Sequence, residues 1–263
     1  MPFLARITIY PVKSLDGQDV DAAAVLPAGA LEHDRRFALV DGSGRFVNGK
    51  RTALVHGVRS HFDPRSRTLE LGPRDGDGRR SFHVDADRVA LHAWLTGHFG
   101  FPVRVVEEAA AGLPDDADAP GPTVLSTATL GEVARWFPGL DAGEVRRRFR
   151  ANLELGDVGP FWEDRLFAEP GRVVRFRIGA VDFEGVNPCQ RCVVPGRGSM
   201  TGEPIPGFAK TFAERRGQAL PPWATASRFD HFYRLAVNTR SAGPGGGTIR
   251  VGDEVTVLNV VGA

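Results

Sequence analysis

The sequence predicts a mainly β fold of the α+β kind, in which many short strands carry a few covering helices. Three observations lead there. Short apolar or alternating runs recur between turn signals such as Asp-Gly, Gly-Ser-Gly and Pro-Arg-Ser. Only a handful of segments keep helical spacing. The length of 263 residues lies between one large domain and two small ones, which suits two intimate subdomains.

Taken in order, residues 4–12, 22–25, 36–40, 54–62 and 68–71 read as strands, so the chain up to residue 110 is expected to form a small antiparallel sheet or barrel. Over 85–99, Val89, His92, Leu95 and Phe99 fall near helical spacing, with Asp85 or Asp87 as the cap. The stretch 109–121 is rich in Ala, Asp, Pro and Gly and has no periodicity. It reads as a linker or surface loop and divides the chain into domains 1–110 and 111–263.

Beyond it, 123–125 is strand-like, and Leu130, Val133, Ala134 and Phe137 share one face of a helix that Pro138-Gly139 ends. Asp141 and Glu144 have the spacing of a capping box for a short helix carrying Arg146, Arg147 and Arg148. Strands are expected at 150–155, 173–178 and 180–183, a helix at 208–216, and closing strands at 233–238 and 248–258.

Composition narrows the function classes. Thirty-three Lys and Arg balance 32 Asp and Glu, so neither nucleic acid nor an anionic membrane is the expected partner. The opening residues have no charged n-region followed by an apolar h-region, and no apolar run approaches membrane-spanning length. A cytoplasmic protein is expected. With only Cys189 and Cys192, a disulfide framework is excluded, and reducing cytosol would keep both as thiols.

The spacing Cys189-Gln190-Arg191-Cys192 alone admits a thioredoxin-like redox pair, half of a zinc site, a single soft-metal ligand, or two uninvolved thiols. A redox pair wants its first cysteine at a helix N-terminus, whereas Pro188 before the pair and Val193-Val194-Pro195-Gly196 after it oppose helix. Structural zinc wants four ligands, and the seven histidines are scattered.

Three further segments could hold an anion. Tyr10-Pro11-Val12-Lys13-Ser14 ends a strand with a Lys and a Ser, Asp34-Arg35-Arg36-Phe37 sets two guanidinium groups beside a carboxylate, and Arg148-Phe149-Arg150-Ala151-Asn152 enters a strand. Strand alternation would project Arg148, Arg150 and Asn152 from one face. Each has a bland alternative: a solvated lysine, a surface salt bridge, a solvated strand face.

Together with Asn187-Pro188-Cys189-Gln190-Arg191-Cys192, these segments resemble, in order, the landmarks of the MOSC family with its N-terminal β-barrel domain, and most of all its amidoxime-reducing branch. The resemblance covers nearly the whole chain. Leu125-Ser126-Thr127-Ala128-Thr129-Leu130 is similar to the family's Leu-Ser-x-Ala-Ser-Leu stretch, Glu163-Asp164 to its acidic turn, and Thr248-Ile249-Arg250-Val251-Gly252-Asp253 to its closing strand.

The resemblance implies an N-terminal β-barrel-like subdomain packed on a MOSC-type β-barrel, and a molybdenum–molybdopterin cofactor whose metal takes a thiolate from Cys192, the catalytic residue. Lys13, Ser14, Arg35, Arg150 and Asn152 would hold the cofactor. Arg191 would join them, assisting deprotonation of Cys192, and Cys189 would be structural. The relatives present a Thr-Ser pair where this chain has Asp118-Ala119-Pro120.

Three functions follow from the resemblance. The first is a reductase of N-hydroxylated small molecules, fed by a separate electron-donor protein of flavin, iron–sulfur or haem type. The chain has no cysteines left for a cluster of its own. The second is a sulfur carrier with a persulfide on Cys192. The third is a non-catalytic cofactor carrier.

Overall fold

The computed structural model describes residues 1–243 and 245–263. It opens with strand β1 (Phe3–Ile9), whose Leu4 and Ile7 are fully buried. Next come β2 (Gln18–Val20), β3 (Ala22–Ala24), β4 (Phe37–Asp41), β5 (Val58–Asp63), β6 (Thr68–Pro73), β7 (Arg80–His83), α1 (Arg88–Phe99) and β8 (Val103–Glu107). The second half supplies β9 (Val124–Ser126), α2 (Thr127–Arg135), α3 (Ala142–Phe149), β10 (Leu153–Gly156), β11 (Arg172–Ile178), β12 (Val181–Gln190), α4 (Phe208–Gln218), β13 (Arg234–Ser241), β14 (Thr248–Arg250) and β15 (Val255–Gly262).

The expected mainly β, α+β architecture is the observed one, but the sheets do not respect the order of the chain. The main sheet runs β15-β11-β12-β13-β9-β10-β1-β2. Of its first-half members, β1 is held by β10, with Ile7 opposite Leu153, and β2 pairs in turn with β1. Full closure into a barrel is absent among the described strands. Instead a single bridge between Phe3 and Glu254, with Leu4 N donating to Asp253 O at 2.8 Å, curls β15 up to β1. The smaller pieces are the pairs β4·β8 and β3·β14 and the three-stranded β5-β6-β7.

Three apolar clusters fill the layers. One, around Leu4, Ile7, Phe176 and Phe183, lies on the main sheet and draws on both halves. A second, around Phe37, Phe62, Leu91 and Leu95, holds α1 to the N-terminal strands. The third seats α2, α3 and α4 around Phe149 and Phe212. Among the described residues no helix is long and apolar enough to cross a membrane.

Several expectations shift for local reasons. The 54–62 strand starts as a 3-10 turn (Ala53–Gly57) because Thr52 accepts from Leu54 N at 3.2 Å and caps it. Asp87 takes the N-cap position of α1 as expected, but its carboxylate makes no capping bond and instead accepts from His83 N at 2.8 Å. Asp141 does cap α3, accepting from Glu144 N at 2.6 Å. The 248–258 segment is two strands, β14 and β15, split by a turn in which Asp253 N donates to Arg250 O at 3.0 Å. The 180–183 strand runs on to Gln190, with Pro188 tolerated at a register shift against β13.

Candidate functional site

A cleft of about 900 Å³ runs between the N-terminal pieces and the α3 and β12 region. Lys13, Ser14, Arg35, Arg150, Asn152, Arg191 and Cys192 all line it, so residues named from four separate segments converge. Twelve Arg and Lys but only five Asp line the walls. Such an excess in a concave site attracts anions.

The convergence depends on backbone reversals. Ser14, Arg35 and Arg150 have φ of 73°, 46° and 55°, the left-handed region that costs a non-glycine residue roughly 1–2 kcal/mol. Each is pinned by its surroundings. Leu15 N donates to Val12 O at 3.0 Å around Ser14, Arg35 N donates to Tyr10 O at 2.8 Å, and Arg150 N closes α3 on Arg146 O at 2.9 Å.

This geometry corrects the strand reading of residues 148–152. Arg148 is still helical and buried, tied to Glu144 (Nε–Oε1 2.6 Å) and to the Pro195 carbonyl. Arg150 caps that helix, and the strand begins only at Leu153. Arg150 and Asn152 reach the cleft through the reversal, not through alternation.

Tyr10 is the platform beneath the cations, a role that sequence reasoning missed. The Arg150 guanidinium lies 4.1 Å from its ring centroid and that of Arg35 5.0 Å. Burial pushes the phenol up to about 12, and its hydroxyl donates to the Ala151 carbonyl at 3.3 Å. Burial pulls Arg150 below the usual arginine value, since its guanidinium has no carboxylate partner among the described residues.

The remaining named residues divide by how far their polar groups are already used. Asn152 accepts from Arg35 Nη1 at 2.9 Å and from Thr123 N at 3.1 Å, and donates to Thr8 O at 3.1 Å. Its amide therefore positions Arg35, which also pairs with Asp34. Lys13 Nζ donates to the Leu113 and Pro114 carbonyls at 2.9 and 3.2 Å and pairs with Asp115 at 3.0 Å. By contrast, among the described residues the Ser14 hydroxyl and the Arg150 guanidinium donate to nothing, leaving both free for a ligand.

The two thiols sit at the end of β12 and just past it, both half-buried and unbridged. Arg191 serves the first one: Nη1 donates to Cys189 Sγ at 3.1 Å and Nη2 to the Phe149 carbonyl. Arg191 therefore makes its hydrogen bond to Cys189 and not to Cys192, the thiol it was expected to support, because its side chain folds back over Phe149. Cys192 has no hydrogen-bond partner among the described residues. Two buried polar atoms close by, Arg191 Nε and the Tyr233 hydroxyl, have none either.

His56, unsignalled by any motif, adds an imidazole to the wall of the cleft. Burial lowers its pKa, and its Nδ1 lies 3.3 Å from the Ser199 carbonyl. Nε2 is buried and unpartnered.

Among the described residues no three His, Cys, Asp or Glu side chains converge on a metal position. A metal here would take thiolate sulfur from the chain and its other donors from an accompanying ligand. Free cations, a free hydroxyl and a free thiol in one cleft fit such a ligand if it is anionic.

Residues 1–111 match the family model described as MOSC N-terminal beta barrel domain, and residues 123–256 match the MOSC domain. The chain is also similar to a molybdenum cofactor sulfurase of Drosophila mojavensis, at 25% identity over 248 residues. That alignment covers 81% of this chain and 30% of the relative, so the chain spans less than a third of the relative's length.

Proposed function

Because the chain belongs to the MOSC family, with a MOSC domain behind a MOSC N-terminal β-barrel domain, we propose that its cleft holds a molybdenum cofactor and that Cys192 gives the metal a thiolate. The reaction assigned is reduction of N-hydroxylated small molecules, with two electrons supplied by a separate electron-donor protein. A cytoplasmic setting, which keeps both thiols reduced, suits this role.

One observation carries the reading: the Cys192 thiol shares a cation-rich cleft with Arg150, a half-buried guanidinium stacked on Tyr10, and among the described residues the thiol has no hydrogen-bond partner and the guanidinium no carboxylate partner. Arg150, Ser14 and Arg35 would hold the cofactor's anionic and hydrogen-bonding edges. Tyr10 and Asn152 would fix the two arginines. When bound, the cofactor supplies the two-electron chemistry; the chain's residues bind, orient and exclude water.

Metal analysis of protein made in a host that synthesises molybdenum cofactor tests this. Near-stoichiometric molybdenum is expected, lost in Cys192→Ala, together with reduction of an amidoxime by the loaded protein and a reduced viologen dye. Protein that is active without metal would refute it.

A second reading, sulfur transfer through a Cys192 persulfide, is favoured by the sulfurase relative and by the charge-assisted contact of Arg191 on the neighbouring Cys189. Mass analysis after incubation with a sulfane-sulfur donor distinguishes it: a stable gain of one sulfur on Cys192 supports transfer.

A further inference from the structure

The strap that joins the two halves crosses the cleft and fills part of it. At one end Gly112 has φ +66°, and an added Cβ there would stand 2.8 Å from the Asp34 carbonyl. At the other, Gly121 N donates to Thr239 O at 2.9 Å. Between these pins the strap is held by its own acidic residues. Asp115 pairs with Lys13, and Asp116 accepts from Asn238 Nδ2 at 3.3 Å.

Lys13 is 9% exposed, and its three ammonium protons match three acceptors, all on the strap: Leu113 O, Pro114 O and Asp115 Oδ1. The lysine that sequence reasoning assigned to a ligand is thus already occupied. The occupant is lightly anchored, however, since the Asp115 side chain is 67% exposed. Burial raises its carboxyl pKa, but Lys13 first and then Arg35 and Lys50 bring the net value below the ordinary one. It sits where the field of several cations overlaps.

We propose that Asp115 is an internal counter-anion that masks Lys13, and that an anionic group of the cleft's ligand enters by taking the place of Asp115 and freeing the strap. The proposal rests on the reading that the cleft holds an anionic ligand, not on molybdenum. A phosphate oxygen can accept the same ammonium proton and brings more charge than a carboxylate.

Titration of the full chain with inorganic pyrophosphate at low ionic strength, followed by calorimetry, reads the competition. Asp115→Asn is expected to bind about five- to tenfold more tightly than the unaltered protein, and Lys13→Met in the same background should abolish that gain. Hydrogen exchange at the Leu113 amide, which donates to the Arg35 carbonyl at 2.9 Å, should quicken when pyrophosphate is added to the unaltered protein, a readout that needs no variant to fold. Equal or weaker binding by Asp115→Asn, unchanged exchange in the strap, or no pyrophosphate binding by either protein overturns the proposal. Molybdenum content, measured separately, reports on the functional reading by itself.

Discussion

The Arg150 guanidinium stacks 4.1 Å from the centroid of the Tyr10 ring and meets no carboxylate among the described residues. The pair joins the helix end of one half to the strand end of the other. A half-buried cation with a ring but no carboxylate beside it is costly to hold, and an anionic ligand in the cleft would relieve that cost.

Arg150→Met should therefore separate stability from binding. Thermal unfolding is expected to be unchanged or raised, by up to about 1 kcal/mol, while molybdenum bound per chain falls at least tenfold. A drop in stability above roughly 2 kcal/mol would show instead that the stack holds the fold.

The pH dependence of stability should carry two opposing limbs. Burial, reinforced by Asp164, pushes Glu163 up from its ordinary 4.5 to about 7. The unfolded chain loses that proton near 4.5 and the folded chain keeps it to about 7, so stability falls as pH rises through this window, by on the order of 2–3 kcal/mol. Glu144 has the opposite sign. Burial raises it, but hydrogen bonds from Ser199, then Arg148 and Arg147, bring it down to about 2. Its contribution is present above 4.5 and is lost as pH falls toward 2. Urea titrations across pH should show Glu163→Gln flattening the upper limb alone and Glu144→Gln the lower one.

Arg216 and Asp164 form a buried pair, 1% and 4% exposed, with the guanidinium set over the Phe161 and Phe229 rings. Arg216→Leu leaves a carboxylate stranded and should cost about 3–5 kcal/mol. Adding Asp164→Leu should restore most of that. A double variant as unstable as the single one would mean that packing, not charge, dominates.

Gly185 in β12 faces the 3-10 turn Trp162–Leu166 so closely that an added Cβ would fall 1.6 Å from the Leu166 carbonyl oxygen. Gly185→Ala cannot be absorbed by a side-chain rotation. It should cost more than about 3 kcal/mol, seen as loss of soluble folded protein or a collapsed denaturation midpoint.

What could be read beforehand follows the range of the interactions. Periodicity and caps are local, so α2 and α4 and the Asp141 cap stand close to where they are expected. The segments that line the cleft are likewise recognisable one by one. Their conformations are not: the left-handed backbone at Arg35 is held by a bond to Tyr10, distant in sequence, and at Ser14 and Arg150, where the pinning bonds are local, no glycine or asparagine marks the reversal. The same limit hid the engagement of Lys13 with residues about 100 positions away, and the choice of Arg191 between two cysteines. β8 went unread because Val103–Glu107 follows a helix with no turn signature beyond Gly100 and Pro102.

The pairing of β1 with β10 also has a consequence in time. Ile7 leaves the ribosome some 146 positions before Leu153, its partner in the sheet. At ordinary elongation speeds the first strand then waits roughly 10–30 s with an apolar face and an open edge. The N-terminal cluster around α1 can form during that interval, but β1 cannot settle. The protein should need either a chaperone hold on β1 or a late, rate-limiting docking step. The halves of the cleft are completed together, when β10 arrives to receive β1.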